Sequence, residues 1–153
     1  MNNTELKLIA EGLIKTTETA GVKSVELHKK GLKITIKPDN SPVSNGDLEV
    51  NRILTEKIKQ LTPNIPIVSE ETVDLNKKNT FNTYWLIDPI DGTKEYIAGK
   101  DDYTLNAGLI INKAPAIGVI GVPKKNRLFY SHGKNNSFMI ENNQKTKLNC
   151  KKK

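Results

Sequence analysis

The chain has 153 residues, a formal net charge of +7, and 36% hydrophobic and 27% charged residues. This length suits one domain of ordinary size, and the composition is globular rather than disordered or collagen-like. No apolar run approaches the roughly 20 residues of a membrane-spanning helix, and the polar start at Met1–Glu5 does not match a secretory signal. The one cysteine, Cys150, excludes an internal disulfide framework and a cysteine zinc site, and it fits a reducing cytoplasm.

The positive charge comes mostly from lysine. Arg52 and Arg127 are the only arginines, lysines crowd the last residues, and aromatic residues make up only 5% of the chain. Nucleic-acid modules use arginine for base contacts and aromatic rings for stacking. The sequence therefore favours a lysine-rich solvated surface with a basic tail at 146–153, and no specific nucleic-acid partner is expected.

The first elements are predicted to be helices and a hairpin. Apolar residues at helical spacing predict an amphipathic helix over 4–20, which a glycine ends. Alternating residues then predict two strands, 22–28 and 32–37, joined by a turn at Lys30-Gly31. A second amphipathic helix is predicted over 47–61.

The rest of the chain is predicted to be rich in strands. A polar loop over 72–82 and a short helix from Thr93 interrupt strand-like runs at 65–68, 84–87, 103–112, 115–122, 126–132 and 138–140. Helices followed by a meander of strands predict an α+β domain over 1–145, with a mainly antiparallel sheet. Because no helix follows the last strands to cover them, the chain is expected to be the front part of a larger domain.

The segment with the most chemistry follows a predicted apolar strand. Asp88 and Asp91 flank a Pro-Ile pair, and Gly92 and Thr93 come next. Proline fixes φ and glycine permits a left-handed backbone, so both carboxylates and the Ile90 carbonyl can converge on one point. Such an all-oxygen site suits Mg²⁺, and the N–H groups of Gly92 and Thr93 can face a phosphate. The same residues are equally good turn and capping chemistry, so both interpretations stay open.

Other acids stand upstream of this segment. Glu70 and Glu71 directly follow a predicted buried strand, where two acids taken alone are typical of solvated loop charges. Asp47 opens the second predicted helix, where taken alone it is an ordinary helix cap.

The three segments together, and in this order, resemble the inositol monophosphatase family of magnesium-dependent, lithium-sensitive phosphatases. The matching motifs are P-V-S-x-x-D at 42–47, S-E-E at 69–71 and D-P-I-D-G-T at 88–93. The serine of S-E-E, and Lys94-Glu95-Tyr96 after the threonine, are more similar to the 3'(2'),5'-bisphosphate nucleotidase branch of that family. The nucleotidase-like pattern continues at Thr104-Leu105-Asn106, and the resemblance covers the chain to about residue 140.

The resemblance implies a role for each residue. Glu70, Asp88, the Ile90 carbonyl and Asp91 would hold Mg²⁺, with two or more ions in the intact family site. Asp47 and Thr93 would be the catalytic pair that orients the attacking water and accepts its proton. Substrate binding would fall to Glu70, Ile90, Asp91, Gly92 and Thr93.

The resemblance also implies an activity and a cellular setting. The expected reaction removes the 3'-phosphate of adenosine 3',5'-bisphosphate, a step of sulfur metabolism, and gives AMP and phosphate. An inositol or other sugar phosphatase, or a catalytically inactive truncated remnant, are the alternatives. The expected partner is a small phosphorylated nucleotide, and the resemblance allows a homodimer and a peripheral contact with the cytoplasmic face of the inner membrane.

The fold implied by the resemblance is the N-terminal portion of a layered αβαβα sugar-phosphatase fold. The family's C-terminal domain, which carries a further metal-binding aspartate in a W-D-x-x-A-G type motif, is expected to be missing from this chain.

Overall fold

The computed structural model describes residues 1–72 and 80–149. Most of the loop predicted over 72–82, and Cys150 with the last lysines of the predicted tail, lie outside the described residues. Within the described ranges, no helix is long and apolar enough to cross a membrane.

The structure describes three α-helices, and the two long ones begin at capping boxes. The helices are α1 (Asn3–Lys30), α2 (Asn45–Leu61) and the short α3 (Thr93–Ile97). At the start of α1, the Asn2 side chain accepts from the Glu5 N–H at 2.9 Å, and the Glu5 carboxylate accepts from the Asn2 N–H at 2.7 Å. Such a reciprocal capping box satisfies two N–H groups that a helix terminus otherwise leaves unpaired.

The strands divide into a short ribbon and a larger sheet. In the ribbon, β1 (Ile34–Ile36) pairs antiparallel with β2 (Pro42–Ser44). Along the part of the chain that the structure describes, seven strands form the sheet in sequence order. They are β3 (Ile67–Ser69), β4 (Tyr84–Asp91), β5 (Thr104–Ile111), β6 (Ala114–Val122), β7 (Arg127–His132), β8 (Ser137–Glu141) and β9 (Gln144–Leu148). Only the β3–β4 pair is parallel among these described strands.

The core lies between the two long helices and one face of the sheet. Trp85, Leu105 and Leu109 are fully buried there with residues of α1 and α2. The Trp85 indole N–H donates to Thr62 Oγ1 at 2.9 Å, so its one polar atom is satisfied in the core. On the opposite face, Leu86 is 50% and Ile120 42% exposed.

The predicted α+β class, with helices first and then a mainly antiparallel sheet, is confirmed. The strand predicted over 22–28 and the turn at Lys30-Gly31 are wrong, because α1 continues to Lys30 and Gly31 is its C-terminal cap. The buried face of this part of α1 carries small residues, since a Cβ at Gly21 would lie 3.2 Å from Pro123. Because small residues form this buried face, this part of α1 lacks the apolar periodicity by which a helix is predicted from sequence.

The other differences concern strands with little burial. The strand predicted over 32–37 is shorter, and it pairs with β2 rather than with a strand before it. The edge strand predicted at 138–140 is β8, but β9 lies outside it and runs across the predicted start of the tail at residue 146. Every residue of β9 is exposed, so it shows no apolar alternation, and its lysines are typical of a protected sheet edge.

Candidate active site

Parallel pairing of two strands brings the first carboxylates together. Ser69 of β3 lies opposite Ile87 of β4, and the Glu70 N–H donates to the Ile87 carbonyl at 3.0 Å. Because both strands run in the same direction, Glu70 leaves β3 beside Asp88 of β4. Two acids that are far apart along the chain thus lie close together at one end of the sheet.

An irregularity in β4 sets the position of Asp91. Asp88 pairs with Asn106 and Asp91 with Thr104 of β5, and the register shifts between them, where the Pro-Ile pair lies. A bulge of this kind redirects a side chain at the end of a ladder. The Asp91 carboxylate accepts from the Asn106 side-chain N–H₂ at 3.4 Å. The Asp91 side chain therefore contacts the residue that pairs with Asp88.

Asp88 lies at the electrostatic centre of this group. Burial, and after it the negative charges of Glu70 and Asp91, together raise the pKa of Asp88 to about 7. Asp88 Oδ1 is buried without a hydrogen-bond partner among the described residues. A half-buried carboxylate with an unsatisfied oxygen and like-charged neighbours is a position where a cation would be stabilised.

A lysine from the ribbon faces the acids at the end of β3. Lys37 Nζ lies 3.0 Å from Glu71 Oε1 and 3.7 Å from Glu70 Oε1. Burial raises the pKa of Glu71, and the Lys37 ammonium opposes that rise. The Glu71 side chain is almost fully covered, whereas that of Glu70 is 51% exposed. Glu70 is therefore the acid of the pair that remains accessible to a ligand.

Asp47 and Thr93 meet on the other side of the site. Asp47 is completely buried at the start of α2, and its Oδ2 accepts from the Ser44 N–H at 2.8 Å and the Ser44 hydroxyl at 2.6 Å. Its other oxygen, Oδ1, accepts from the Thr93 hydroxyl at 3.1 Å. The same hydroxyl lies 3.1 Å from the Ile90 carbonyl oxygen, so its single proton is shared between two acceptors.

Tight packing holds α3 in the position that this contact requires. Gly92 has a φ of 92°, and a Cβ there would lie 2.9 Å from the Asp102 carbonyl oxygen. Three residues after Thr93, the buried Tyr96 donates its hydroxyl proton to the Ser24 carbonyl of α1 at 2.7 Å. A Cβ at Gly46 would overlap the Tyr96 hydroxyl. Glycine at both positions therefore lets α3 pack against the starts of α2 and β5.

The predicted metal ligands gather around the end of β4. The structure brings Asp88 and Asp91 to one strand end with Glu70 beside them, while the Ile90 carbonyl faces Thr93. Across residues 1–72 and 80–149, no three His, Cys, Asp or Glu side chains form a ready-made metal cluster. The donors are all oxygen, and the unsatisfied Asp88 oxygen lies among them, so their chemistry fits Mg²⁺.

Sequence reasoning missed two residues next to these acids. Lys37 directly follows β1 and reaches Glu71 from 34 residues away in the sequence, and no local motif signals this contact. Asn106 lies in a run of predicted strand, and only the pairing with β4 places it opposite Asp88. The signal available in the sequence was that Asn106 is a polar residue inside an otherwise apolar strand.

Comparison with known proteins identifies the family of the chain. The sequence pattern of the inositol monophosphatase family matches residues 3–153. The chain therefore belongs to the inositol monophosphatase family.

Individual relatives lie in the nucleotidase branch. The chain is 34% identical over 125 residues to the 3'(2'),5'-bisphosphate nucleotidase CysQ of Aggregatibacter actinomycetemcomitans, an alignment covering 80% of this chain and 46% of that protein. It resembles the crystal structure of CysQ from Bacteroides thetaiotaomicron with a TM-score of 0.64 and 30% identity, covering 86% of this chain and 48% of that one.

A more distant structure shows the same fold. An inositol monophosphatase/NADP phosphatase complexed with Mg²⁺ and phosphate has a TM-score of 0.75 and 16% identity, covering 88% of this chain and 51% of that one. The chain spans about half the length of the relatives that it matches.

Proposed function

We propose that this chain is the metal-site half of a Mg²⁺-dependent phosphomonoesterase that removes the 3'-phosphate of adenosine 3',5'-bisphosphate, giving AMP and phosphate. The observation that carries the proposal is the hydrogen bond from the Thr93 hydroxyl to the buried Asp47, with Thr93 five residues after the unsatisfied Asp88. A proton acceptor and an all-oxygen cation site are the two parts that metal-assisted phosphate hydrolysis needs.

Two kinds of likeness support the substrate and the metal. The relative from Aggregatibacter is named a 3'(2'),5'-bisphosphate nucleotidase, and the more distant structure was solved with Mg²⁺ and phosphate. The proposed partner is therefore a small phosphorylated nucleotide. A homodimer and a contact with the inner membrane rest on the family resemblance alone.

The chain's own residues would orient and deprotonate the attacking water. Both Ser44 donors hold Asp47 Oδ2, which leaves Oδ1 to the Thr93 hydroxyl. When that hydroxyl donates to Asp47 Oδ1, its lone pairs can accept a hydrogen bond from a water molecule, and as the water's proton moves to the hydroxyl, the hydroxyl's own proton moves to Asp47. The N–H groups of Gly92 and Thr93 would bind the phosphate. A bound Mg²⁺ would supply Lewis acidity that activates water and offsets the charge of the phosphate.

Phosphate release from adenosine 3',5'-bisphosphate by the purified chain tests the proposal. We expect release that requires Mg²⁺ and disappears in Asp91→Asn, a variant that keeps the size of the side chain. Release that persists in Asp91→Asn would contradict the assigned site, and faster release from inositol 1-phosphate would select the sugar-phosphatase alternative. No release from a chain shown to be folded would favour the inactive remnant.

A further inference from the structure

Asn106 occupies the position on β5 directly opposite Asp88. Its side-chain N–H₂ donates to Asp91 Oδ2 at 3.4 Å, so the amide touches one candidate ligand while it lies across from another. Neither the motifs of the sequence nor the family resemblance gives this residue a role.

The other end of the amide is unsatisfied. Asn106 Oδ1 is buried without a hydrogen-bond partner among the described residues, as is Asp88 Oδ1 on the facing strand. Rotating the amide by 180° would lose its hydrogen bond to Asp91 and set its oxygen against the Asp91 carboxylate. A buried oxygen left unpaired in this way destabilises the fold, and asparagine is itself disfavoured in strands.

We propose that Asn106 Oδ1 is a further ligand of the cation that Asp88 and Asp91 bind. This inference rests on the proposed function only for the presence of a divalent cation. One cation between the two strands would satisfy both orphaned oxygens. A neutral amide oxygen adds a hard ligand without adding negative charge to acids that already repel one another.

The contact with Asp91 also favours ligation by the amide oxygen. Donation from the N–H₂ group to a carboxylate polarises the amide and fixes which arm carries the oxygen. The same side chain would thus hold Asp91 with one arm and offer the other arm to the cation.

Calorimetric titration of the full chain with Mg²⁺, and with Mn²⁺ as a second probe, tests this directly. We expect Asn106→Ala to raise the dissociation constant about tenfold or more. Asn106→Val, whose side chain suits a strand, replaces it if the alanine variant does not fold. The matched control is Ile110→Ala, a truncation on the same strand, opposite Tyr84, which should leave the dissociation constant unchanged.

Repeating the titration in an Asp91→Asn background separates ligation from positioning. A direct ligand still loses affinity on Asn106→Ala in that background, whereas a residue that acts only through Asp91 shows no further loss. An unchanged dissociation constant in Asn106→Ala, a loss that vanishes in the Asp91→Asn background, or a wild-type chain that binds neither cation would each overturn the inference. Because the readout is binding, a chain that binds Mg²⁺ but releases no phosphate would contradict the proposed function and leave this inference standing.

Discussion

The two halves of the candidate site differ in how far the chain itself completes them. Asp47 receives hydrogen bonds from Ser44 and Thr93 on both of its oxygens, although it is fully buried. Asp88, on β4, keeps a buried oxygen that no described residue satisfies. The protein thus builds the half that would handle the water's proton, and it leaves the carboxylate half to be completed by a cation.

The difference arises from the elements that carry each half. Asp47 closes a capping box with Ser44, so the hydrogen bonds that begin α2 also fix the carboxylate. Asp47 itself is not the N-cap, as its place in the sequence suggested: Ser44 is the N-cap, and Asp47 closes the capping box from the third position of α2, while its catalytic role stays a prediction. Asp88 and Glu70 meet at parallel strand ends, where nearby acids gather charge but offer each other no donors. Substitutions in the two halves should therefore change stability in opposite directions.

The largest expected effect on stability comes from Asp47→Ala in metal-free buffer. Removing this carboxylate leaves the buried N–H and hydroxyl donors of Ser44 unpaired and breaks the capping box of α2, so the free energy of unfolding should fall by about 2–4 kcal/mol. Urea unfolding monitored by circular dichroism measures it. The control is Asp101→Ala, because the Asp101 side chain is 64% exposed and lies 3.7 Å from Lys124, where about 0.5 kcal/mol or less is expected. A loss of unfolding free energy as small as that of Asp101→Ala would show that the hydrogen bonds of Asp47 do not stabilise the fold.

Adding Mg²⁺ should produce the next largest effect. At a Mg²⁺ concentration about 100 times the dissociation constant, binding to the folded chain should add about 2.7 kcal/mol to the free energy of unfolding. Asp88→Asn should abolish this gain, because it removes the central carboxylate. Thermal unfolding with and without EDTA measures it, and Asp101→Ala should retain the full gain. A gain that survives in Asp88→Asn would place the cation elsewhere.

A smaller effect of opposite sign is expected for Asp88→Asn without metal. Burial and the nearby acids raise the pKa of Asp88 from 3.8 to about 7, so between these values the unfolded chain loses its proton first. Metal-free stability should therefore fall as the pH rises from 4 to 7, and at pH 8 Asp88→Asn should be more stable than the wild type. Allowing for solvent screening at a half-exposed group, the gain is about 1–2 kcal/mol.

Urea unfolding in EDTA at pH 5 and pH 8 checks this prediction. The gain from Asp88→Asn should be larger at pH 8 than at pH 5, and saturating Mg²⁺ should reverse its sign. An equal gain at both pH values would mean that the Asp88 carboxyl is ordinarily solvated.

The sequence predicted the parts of the site that local chemistry determines. A short helix from Thr93 follows the glycine turn as expected, and the second predicted helix begins next to Asp47, within two residues of its observed start. The residues that it missed depend on distant parts of the chain. Asn106 follows Asp91 by 15 residues and meets it only through strand pairing. The roles assigned to these residues stay predictions.

The errors in the predicted secondary structure, in the second half of α1 and at β9, also arise from how the elements pack. The second half of α1 packs on β6 and its following turn through small residues, with a Cβ at Gly121 of β6 falling 2.8 Å from Thr17. A close approach of this kind selects side chains for size, and it removes the apolar periodicity by which a helix is recognised. The exposed β9 lacks periodicity for the opposite reason, because neither of its faces is buried.

The smallest expected effect concerns the hydroxyl that joins the two halves. Thr93 donates to Asp47 or to the Ile90 carbonyl at equal distances of 3.1 Å, so it contacts both the completed half and the carboxylate turn. Thr93→Val keeps the shape and removes the hydroxyl, which should lower the free energy of unfolding by about 1 kcal/mol. Thr93→Ser retains the donor and should cost less.

The two variants separate the roles of this hydroxyl. If it serves the Asp47 half, Thr93→Val should leave the Mg²⁺ dissociation constant within about twofold of the wild type while phosphate release falls by a factor of 10² or more, and Thr93→Ser should restore release. Calorimetric titration and a phosphate-release assay on the same preparations measure both quantities. A loss of Mg²⁺ affinity in Thr93→Val that Thr93→Ser restores would instead assign the hydroxyl to the cation half. Such a result would remove the division between the halves, because the Ile90 carbonyl would then need Thr93 in order to be held in place for the cation.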